Sequence, residues 1–140
     1  MFKAITSTCK YLDVEWIILL GLLNKDSRDL FHDFPHATIY DWIDSHTVAS
    51  ILSKSDLVIT RGSATTLAEI DLFKKRKIIV PYPWSSQNHQ HHNAMWYKEN
   101  RNDIVIDDGE LMDNLLKTVT ETLTRDTIEK KMERADTFLR

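Results

Sequence analysis

The chain has 140 residues, of which 42% are hydrophobic and 28% are charged, and its formal net charge is -3. These are the proportions of one globular domain, and they exclude a disordered chain and a coiled coil. The slightly acidic balance offers no electrostatic basis for binding nucleic acid.

The cysteine count and the hydropathy pattern indicate in which cellular compartment the protein is found. Cys9 is the single cysteine of the sequence, which excludes an internal disulfide and indicates a reducing compartment. The longest apolar run, residues 16–23, is far shorter than the roughly 20 residues that a membrane-spanning helix needs. The first residues show no secretory signal, so the expected location is the cytoplasm.

Hydrophobic spacing, taken in chain order, predicts alternating helices and strands. Apolar residues three and four positions apart predict a helix over residues 2–12, and a nearly continuous apolar run predicts a buried strand over 14–20. Similar short runs predict four further strands, at 37–40, 57–60, 78–82 and 104–106. Helices are predicted between the strands, at about 47–54, 65–76, 88–99 and 109–123 with a further stretch to the C-terminus. This alternation predicts a doubly wound α/β domain with a parallel sheet and right-handed crossovers.

Two composition features narrow the function. The basic run Lys74-Lys75-Arg76-Lys77 is predicted to be a solvated helix C-terminus, where cations complement the helix dipole, rather than a docking patch. The sequence has only three glycines, and none forms the glycine-rich turn that nucleotide-binding α/β domains use after their first strand. Dinucleotide and P-loop sites are therefore excluded on motif grounds.

The first loop with chemical content lies in residues 55–70, SDLVITRGSATTLAEI. A buried strand is predicted to end at Arg61-Gly62-Ser63 and to open into a helix, and Thr66 and Glu69 have the spacing of a capping box. Ligands bind at the carboxyl ends of parallel strands, and free N–H groups at a helix N-terminus suit an anion. The segment therefore indicates a phosphate or diphosphate site, with the alternative that Thr66 and Glu69 only cap each other.

The second loop lies in residues 80–94, VPYPWSSQNHQHHNA, and should open on the same edge of the sheet. His89 and His92 are one helical turn apart, but the lone cysteine is distant and no His-Glu-x-x-His pattern occurs. The sequence therefore predicts no metal site. The amide side chains of Asn88 and Gln90 supply directional donors and acceptors that suit sugar hydroxyls.

In these two loops the sequence resembles the C-terminal, donor-binding domain of the MurG-type glycosyltransferases (glycosyltransferase family 28, GT-B fold). The segments SDLVITRGSATTLAEI, KIIVPYPWSSQNHQHHNA and DIVIDD follow the order and spacing of that family, and a weaker match runs from about residue 14 to about residue 123. The family transfers N-acetylglucosamine (GlcNAc) from UDP-GlcNAc to a lipid-linked precursor of peptidoglycan. The separate-subunit transferases of eukaryotic lipid-linked oligosaccharide synthesis share the pattern and remain an alternative.

The resemblance implies how the first loop would hold the nucleotide. Glu69 would bind the ribose hydroxyls of UDP through its carboxylate. Ala64, Thr65 and Thr66 would present backbone amides and a hydroxyl to the diphosphate. Arg61 matches a basic residue just before the phosphate loop, and both ligand contact and bracing of the loop stay open for it.

The resemblance also implies contacts outside that loop. Gln90, with His89 beside it, matches the positions that contact the GlcNAc hydroxyls, and Ile43 matches the position that packs against uracil. The implied chemistry is an inverting transfer, in which an acceptor hydroxyl attacks the anomeric carbon while UDP leaves from the other face. The sequence lacks an Asp-x-Asp motif for a divalent cation, in keeping with metal-independent members of the family, and no cofactor is expected.

The sequence departs from the family at its start. Members begin this domain with a strand and a glycine-rich loop, whereas residues 1–140 begin in the following helix, so we expect a single UDP-sugar-binding domain truncated at its N-terminus. That strand is central in the doubly wound order, so the strands at 14–20 and 57–60 should either pair directly or leave open edges.

The half of the family that binds the acceptor is also missing, so no residue of this chain is nominated as the general base. The expected partners are therefore UDP-GlcNAc, an acceptor-binding domain or chain and a lipid-linked acceptor. Association with the inner face of the membrane is expected only through that missing half. The alternatives are a non-catalytic remnant or interaction domain of the same fold, and the separate catalytic subunit of a two-chain glycosyltransferase.

Overall fold

A computed structural model describes the backbone of residues 1–139 and the side chains of residues 1–130, 132 and 133. Helices and strands alternate, as predicted. The helices are α1 (Phe2–Thr8), α2 (Ser45–Lys54), α3 (Ala64–Leu72), α4 (His89–Arg101) and α5 (Leu111–Leu139). The strands are β1 (Trp16–Leu19), β2 (Ala37–Tyr40), β3 (Val58–Thr60), β4 (Lys77–Ile79) and β5 (Ile104–Val105). Short 3-10 segments cover Leu22–Phe31, Ser86–Asn88 and Asp108–Glu110.

Every strand pairing is parallel, which confirms the predicted α/β class, but the strands are divided over two sheets. β1 pairs with β2, and β3, β4 and β5 pair in that order. Of the two outcomes expected for β1 and β3, direct pairing does not occur in residues 1–139, and each of these strands has an unpaired edge. The fold is thus Rossmann-like with a divided sheet.

One hydrophobic core joins the two sheets. Ile18 of β1 and Ile78 of β4 belong to the same buried cluster, together with Ile5 and Cys9 at α1 and Leu115 of α5. On the opposite face of the second sheet, a smaller cluster contains Leu67 of α3, Ala94 of α4 and Ile79 of β4. Since successive strand residues point to opposite faces, β4 has helices on both sides. The core side chains hold the sheets together where backbone pairing does not.

The first helix is shorter than predicted. α1 ends at Thr8 instead of continuing to residue 12, and the chain turns through a hydrogen bond from the Leu12 amide to the Cys9 carbonyl oxygen. Tyr11 is 91% exposed, whereas Leu12, beyond the turn, still packs against the main core. The 3-10 segment at Leu22–Phe31 was not predicted, and it delivers Phe31 to the core.

The prediction of a solvated helix terminus at residues 74–77 is wrong for Lys77. α3 already ends at Leu72, and Lys74 has a φ of 54°, in the left-handed region. Lys77 is the first residue of β4 and its side chain is 1% exposed. Its Nζ lies 2.9 Å from Asp103 Oδ2 and 3.4 Å from Asp71 Oδ1. These two carboxylates explain why the charge is tolerated inside the fold, because a buried charge needs close partners.

Candidate functional site

The loops after β3 and β4 meet at the carboxyl edge of the second sheet through one side chain. The Oε1 atom of Gln90 accepts hydrogen bonds from the Gly62 amide at 3.0 Å and from the Tyr82 amide at 2.8 Å. Gln90 itself is held at the start of α4 by a hydrogen bond from its backbone N–H to Ser85 Oγ at 3.2 Å. The predicted convergence of the two loops is therefore made by direct contacts.

A second side chain of α4, that of Asn93, binds the backbone carbonyl group of Gly62. Asn93 Nδ2 donates to the Gly62 carbonyl oxygen at 2.9 Å. Asn93 follows Gln90 by three positions, so both side chains lie on the same face of the helix. A Cβ atom added to Gly62 would lie 2.6 Å from the Gln90 carbonyl oxygen. The approach of the loop to α4 therefore depends on the absence of a side chain at residue 62.

Arg61 joins the loops that follow three strands. Its Nη1 lies 2.7 Å from Asp108 Oδ1, just after β5, and donates to the Val80 carbonyl oxygen at 3.3 Å, just after β4. The guanidinium also lies over the Tyr82 ring, 5.5 Å from its centroid. These contacts are those of a brace between loops, and contact of Arg61 with the ligand stays a prediction.

The N-terminus of α3 differs from the predicted capping box. Ser63 is the N-cap residue and α3 begins at Ala64, so Thr66 lies in the first turn instead of preceding the helix. Ser63 Oγ donates to Thr66 Oγ1 at 2.9 Å, and no side chain caps the first amides of the helix in the described structure. The alternative that Thr66 and Glu69 only cap each other is wrong, because Thr66 is not at the N-cap.

The predicted phosphate-binding residues are accessible at this helix end. Ala64, Thr65 and Thr66 are exposed, and Glu69, in the second turn of α3, is half-buried. Free N–H groups and the positive end of the helix dipole point out of such a terminus. The arrangement can therefore receive an anion, with a carboxylate one turn away.

Ile43 lies elsewhere, on the loop after β2 in the first sheet. It is half-buried, and Asp44 beside it caps α2 through a 2.7 Å hydrogen bond from the Thr47 amide to Asp44 Oδ1. That bond lowers the pKa of the Asp44 carboxyl below its usual range. Ile43 is thus at the carboxyl edge of the neighbouring sheet, whereas the other predicted residues are at the edge of the second sheet.

The three histidines of α4, His89, His91 and His92, lie in the first turn of the helix. His89 is exposed at the first position of α4, and the rings of His91 and His92 are 6.1 Å apart at their centroids. Within the described side chains, no group of three or more His, Cys, Asp or Glu residues is placed to hold a metal ion. In the part of the chain that the structure describes, no helix is long and apolar enough to cross a bilayer.

A cavity of about 420 Å³ lies beside the loop contacts. Its walls come from the loops after β4 and β5 and from the start of α4, and are formed by Pro81, Tyr82, Pro83, Trp84, Asn88, His91, Asp107, Asp108 and Gly109. Neither Glu69 nor Gln90 is part of this lining. The cavity therefore adjoins Glu69 and Gln90 without including them, and it contains Asn88, whose amide side chain the sequence analysis relates to sugar hydroxyls.

Sequence reasoning missed Asn93, Asp108 and Tyr82 as parts of this edge. Asn93 could have been found from its three-residue spacing to Gln90 on the predicted helix. Asp108 is the second residue after the last predicted strand, where its loop opens on the same edge. Tyr82 contributes through its backbone amide and the face of its ring, and no signal in the sequence distinguishes such a role.

Comparison with known proteins identifies relatives of this chain. The Finegoldia magna protein named UDP-N-acetylglucosamine--N-acetylmuramyl-(pentapeptide) pyrophosphoryl-undecaprenol N-acetylglucosamine transferase is 30% identical over 131 residues, which are 91% of this chain and 34% of the relative. The protein of the same name from Thermodesulfovibrio yellowstonii is 37% identical over 98 residues, which are 69% of this chain and 25% of the relative. The chain thus spans about a third or less of the length of these relatives.

A solved structure and a family model extend the comparison. The crystal structure of Acinetobacter baumannii MurG superposes with a TM-score of 0.68 at 23% identity, covering 87% of this chain and 38% of that one. This likeness confirms the Rossmann-like fold. The model of the glycosyltransferase family 28 C-terminal domain matches residues 7–139, and the chain therefore belongs to this MurG-like glycosyltransferase family.

Proposed function

We propose that the chain is the donor-binding half of an inverting N-acetylglucosaminyltransferase, which uses UDP-GlcNAc and a lipid-linked acceptor as in peptidoglycan precursor synthesis. Family membership and the printed names of the relatives support this proposal. The observation that carries it is the contact of Gln90 with Gly62, which places the start of α4 beside the N-terminus of α3. Residues 1–140 would then be one UDP-sugar-binding domain.

The diphosphate would bind at the N-terminus of α3. The amides of Ala64, Thr65 and Thr66 are uncapped by side chains, and these residues are exposed. Glu69, one turn further along the helix, would accept hydrogen bonds from the ribose hydroxyls, because an ionised carboxylate is an acceptor only. Arg61 would act by holding the loop, since its guanidinium is already bound to Asp108 and Val80.

The sugar would bind at the start of α4. Both hydrogen bonds of the Gln90 side chain use its oxygen, so its NH₂ group would donate to a GlcNAc hydroxyl oxygen. His89 is exposed beside it and would make a second contact. Ile43 would approach uracil from the loop after β2, which requires the nucleotide to extend toward the first sheet.

The proposed chemistry is stabilisation of the leaving group. When the acceptor hydroxyl attacks the anomeric carbon, the bond to the diphosphate breaks and negative charge grows on UDP. Helix N–H groups aimed at that charge are a preorganised electrostatic device, and each well-placed donor can contribute about 3 kcal/mol. The acceptor site and the general base would come from another domain or chain, which would also provide any association with the cytoplasmic face of the membrane.

Calorimetric titration of the folded chain with UDP-GlcNAc tests the proposal, with UDP-glucose as the competing sugar nucleotide. We expect saturable binding that prefers UDP-GlcNAc. Glu69→Ala should weaken it at least tenfold, a loss of about 1.4 kcal/mol, whereas Glu121→Ala on the exposed face of α5 should leave it unchanged. Retained affinity in the Glu69→Ala chain would contradict the assigned nucleotide site.

The divided sheet favours a second candidate function. Open strand edges are surfaces for association, so the chain would be a non-catalytic interaction domain of the same fold or the separate catalytic subunit of a two-chain glycosyltransferase. A folded chain that binds no UDP-sugar, as judged by circular dichroism and the same titration, would support the non-catalytic candidate. Donor binding that becomes transfer activity only with a second chain would support the two-chain candidate.

A further inference from the structure

The cavity between the loops after β4 and β5, called here the Trp84 cavity, has an aromatic wall. Trp84 lines the cavity and is 80% exposed, and among the described side chains it takes part in no ring stacking and no cation–π contact. The neighbouring Tyr82 ring, in contrast, is already covered by the Arg61 guanidinium. The indole of Trp84 therefore presents a free, flat apolar surface to a ligand in the cavity.

This aromatic wall stands on a stiff backbone. Pro81 and Pro83 alternate with Tyr82 and Trp84, and each proline fixes its own φ angle. The Tyr82 amide also donates to Gln90 Oε1 at 2.8 Å, which ties the segment to α4. A surface that is already held in place loses little conformational entropy when a ligand binds.

Three polar side chains line the same space: Asp107 from the loop after β5, and Asn88 and His91 from the start of α4. Asn88 and the preceding Gln87 have φ angles of 58° and 50°, a left-handed conformation that clusters at ligand sites when residues other than glycine adopt it. A carboxylate accepts hydrogen bonds, whereas an amide and a neutral imidazole both donate and accept. Together these groups can bind several hydroxyls that point in different directions.

The charge of the lining disfavours an anionic ligand. The described residues that form it include two carboxylates and no lysine or arginine. Asp108 is paired with Arg61 at 2.7 Å, whereas Asp107 has no ion-pair partner in the described structure. The uncompensated negative charge repels a phosphate or a carboxylate. The volume of about 420 Å³ is within the range of small-molecule pockets, roughly 300–1,000 Å³.

A saccharide ring would use all of these groups. Its apolar C–H face would pack on the indole of Trp84, and its hydroxyls would donate to Asp107 and accept from Asn88 and His91. An organic cation would suit the aromatic ring and the carboxylate, but it would leave the N–H donors of Asn88 and His91 without an acceptor. The lining therefore favours a neutral saccharide.

The place of the Trp84 cavity along the sheet edge relates it to the proposed reaction. In the order β3, β4, β5, the N-terminus of α3 follows β3, and Gln90 joins the loops after β3 and β4. The cavity lies between the loops after β4 and β5. With the diphosphate at α3 and the donor sugar at Gln90, the cavity is on the side of that sugar away from UDP. Attack and departure occur on opposite faces of the sugar in an inverting transfer, so the acceptor approaches from this side.

We infer that the Trp84 cavity is a second saccharide site, distinct from the donor site, and that it holds the saccharide ring of the acceptor beside the donor sugar. The saccharide site follows from the lining alone, whereas its assignment to the acceptor rests on the proposed function. This chain would then supply part of the acceptor site itself.

NMR titration of the full chain with methyl N-acetyl-β-glucosaminide, without nucleotide, tests the inference. The chain has four tryptophans, and Trp84→Phe identifies the indole N–H signal of Trp84. We expect this signal to move saturably while that of Trp42 stays in place. Trp42 is the internal control, because it is 68% exposed and lies after β2 in the other sheet. A Trp84 signal that does not move, or an equal movement of both signals, would overturn the inference.

Two variants show whether the saccharide lies in the cavity. Gly109 lines it, and a Cβ atom there would meet nothing within 4 Å, so the side chain of Gly109→Leu should occupy the space. We expect Gly109→Leu and Asp107→Ala each to weaken saccharide binding at least tenfold, and Glu121→Ala, on the exposed face of α5, to leave it unchanged. Unchanged affinity in Asp107→Ala would overturn the inference, whether or not Gly109→Leu folds.

Two competing ligands separate the explanations. Tetramethylammonium chloride is the cationic probe, and movement of the Trp84 signal at lower concentrations of this salt than of the saccharide would mean a cation site and would overturn the inference. Saturating UDP-GlcNAc should leave the saccharide bound. Displacement of the saccharide would make the cavity part of the donor site and would also overturn it.

Calorimetry with UDP-GlcNAc on the same chain distinguishes this inference from the proposed function. Saccharide binding in the cavity without UDP-GlcNAc binding would support the saccharide site and contradict the proposed function, together with the assignment to the acceptor. UDP-GlcNAc binding without saccharide binding would support the proposed function and overturn the inference.

Discussion

The Gln90 side-chain oxygen accepts a 3.0 Å hydrogen bond from the Gly62 amide, and the backbones of the two residues approach too closely for any side chain at position 62. The backbone of Gly62 is outside the left-handed region, so the requirement for glycine is steric and not conformational. The carboxyl edge of the second sheet is thereby fixed by a contact between a loop and a helix that are far apart in sequence.

Gly62→Ala should destabilise the fold by about 1–3 kcal/mol, the usual cost of forcing a methyl group into a packed site. Its Cβ would meet the Gln90 carbonyl oxygen at 2.6 Å, and α4 would have to shift. Gly109→Ala is the matched control, because nothing lies within 4 Å of a Cβ there. Urea unfolding of both variants checks the prediction, and equal stability of the two would contradict it.

Substitutions of Gln90 should separate stability from ligand binding. Gln90→Leu leaves the Gly62 and Tyr82 amides without their acceptor, which should cost about 1–3 kcal/mol of unfolding free energy. Gln90→Glu keeps an oxygen for both amides and should retain most of the stability. Under the proposed function its negative charge would repel the diphosphate, so UDP-GlcNAc affinity should fall in a folded protein. Thermal unfolding and calorimetry, run on both variants, give the two readouts.

The Lys77–Asp103 pair should behave as a buried ion pair. The two side chains are 1% and 4% exposed, so Lys77→Met leaves a buried carboxylate without its partner and should cost about 3–5 kcal/mol. Lys130→Met is the control, because the Lys130–Asp56 pair is 61% and 71% exposed and should contribute at most about 1 kcal/mol. Chemical denaturation measures both, and a loss at Lys77 no larger than that at Lys130 would contradict the assignment.

Asp44 should make the free energy of unfolding depend on pH in the acidic range. The hydrogen bond from the Thr47 amide lowers the pKa of its carboxyl in the folded state, so the stabilisation is present above the unfolded-state pKa and is lost as the pH falls through the folded-state pKa. Asp44→Asn retains a capping oxygen without the titration. The wild-type chain should therefore lose stability relative to Asp44→Asn on acidification, and parallel curves for the two proteins would show that Asp44 is not responsible.

The existence and parallel direction of the strands could be predicted, because each strand is a short apolar run between helical segments, whereas the division into two sheets was left open. The contacts within the carboxyl edge could not, because they join positions such as Arg61 and Asp108 whose pairing depends on how three loops pack. The burial of Lys77 was missed for a similar reason. A basic run suggests a solvated surface, and only the fold brings Asp71 and Asp103 to its ammonium group. The roles of Glu69 and His89 stay predictions.

Cys9 lies fully buried in the core that the two sheets share, next to the end of α1. Burial raises the pKa of its thiol, an effect only partly offset by its hydrogen bond with Thr8, and thiol reagents attack the thiolate. It is also the only thiol of the sequence. Cys9 is therefore a built-in probe of local unfolding. The rate at which a thiol reagent labels it reports how often the core that the two sheets share opens to solvent.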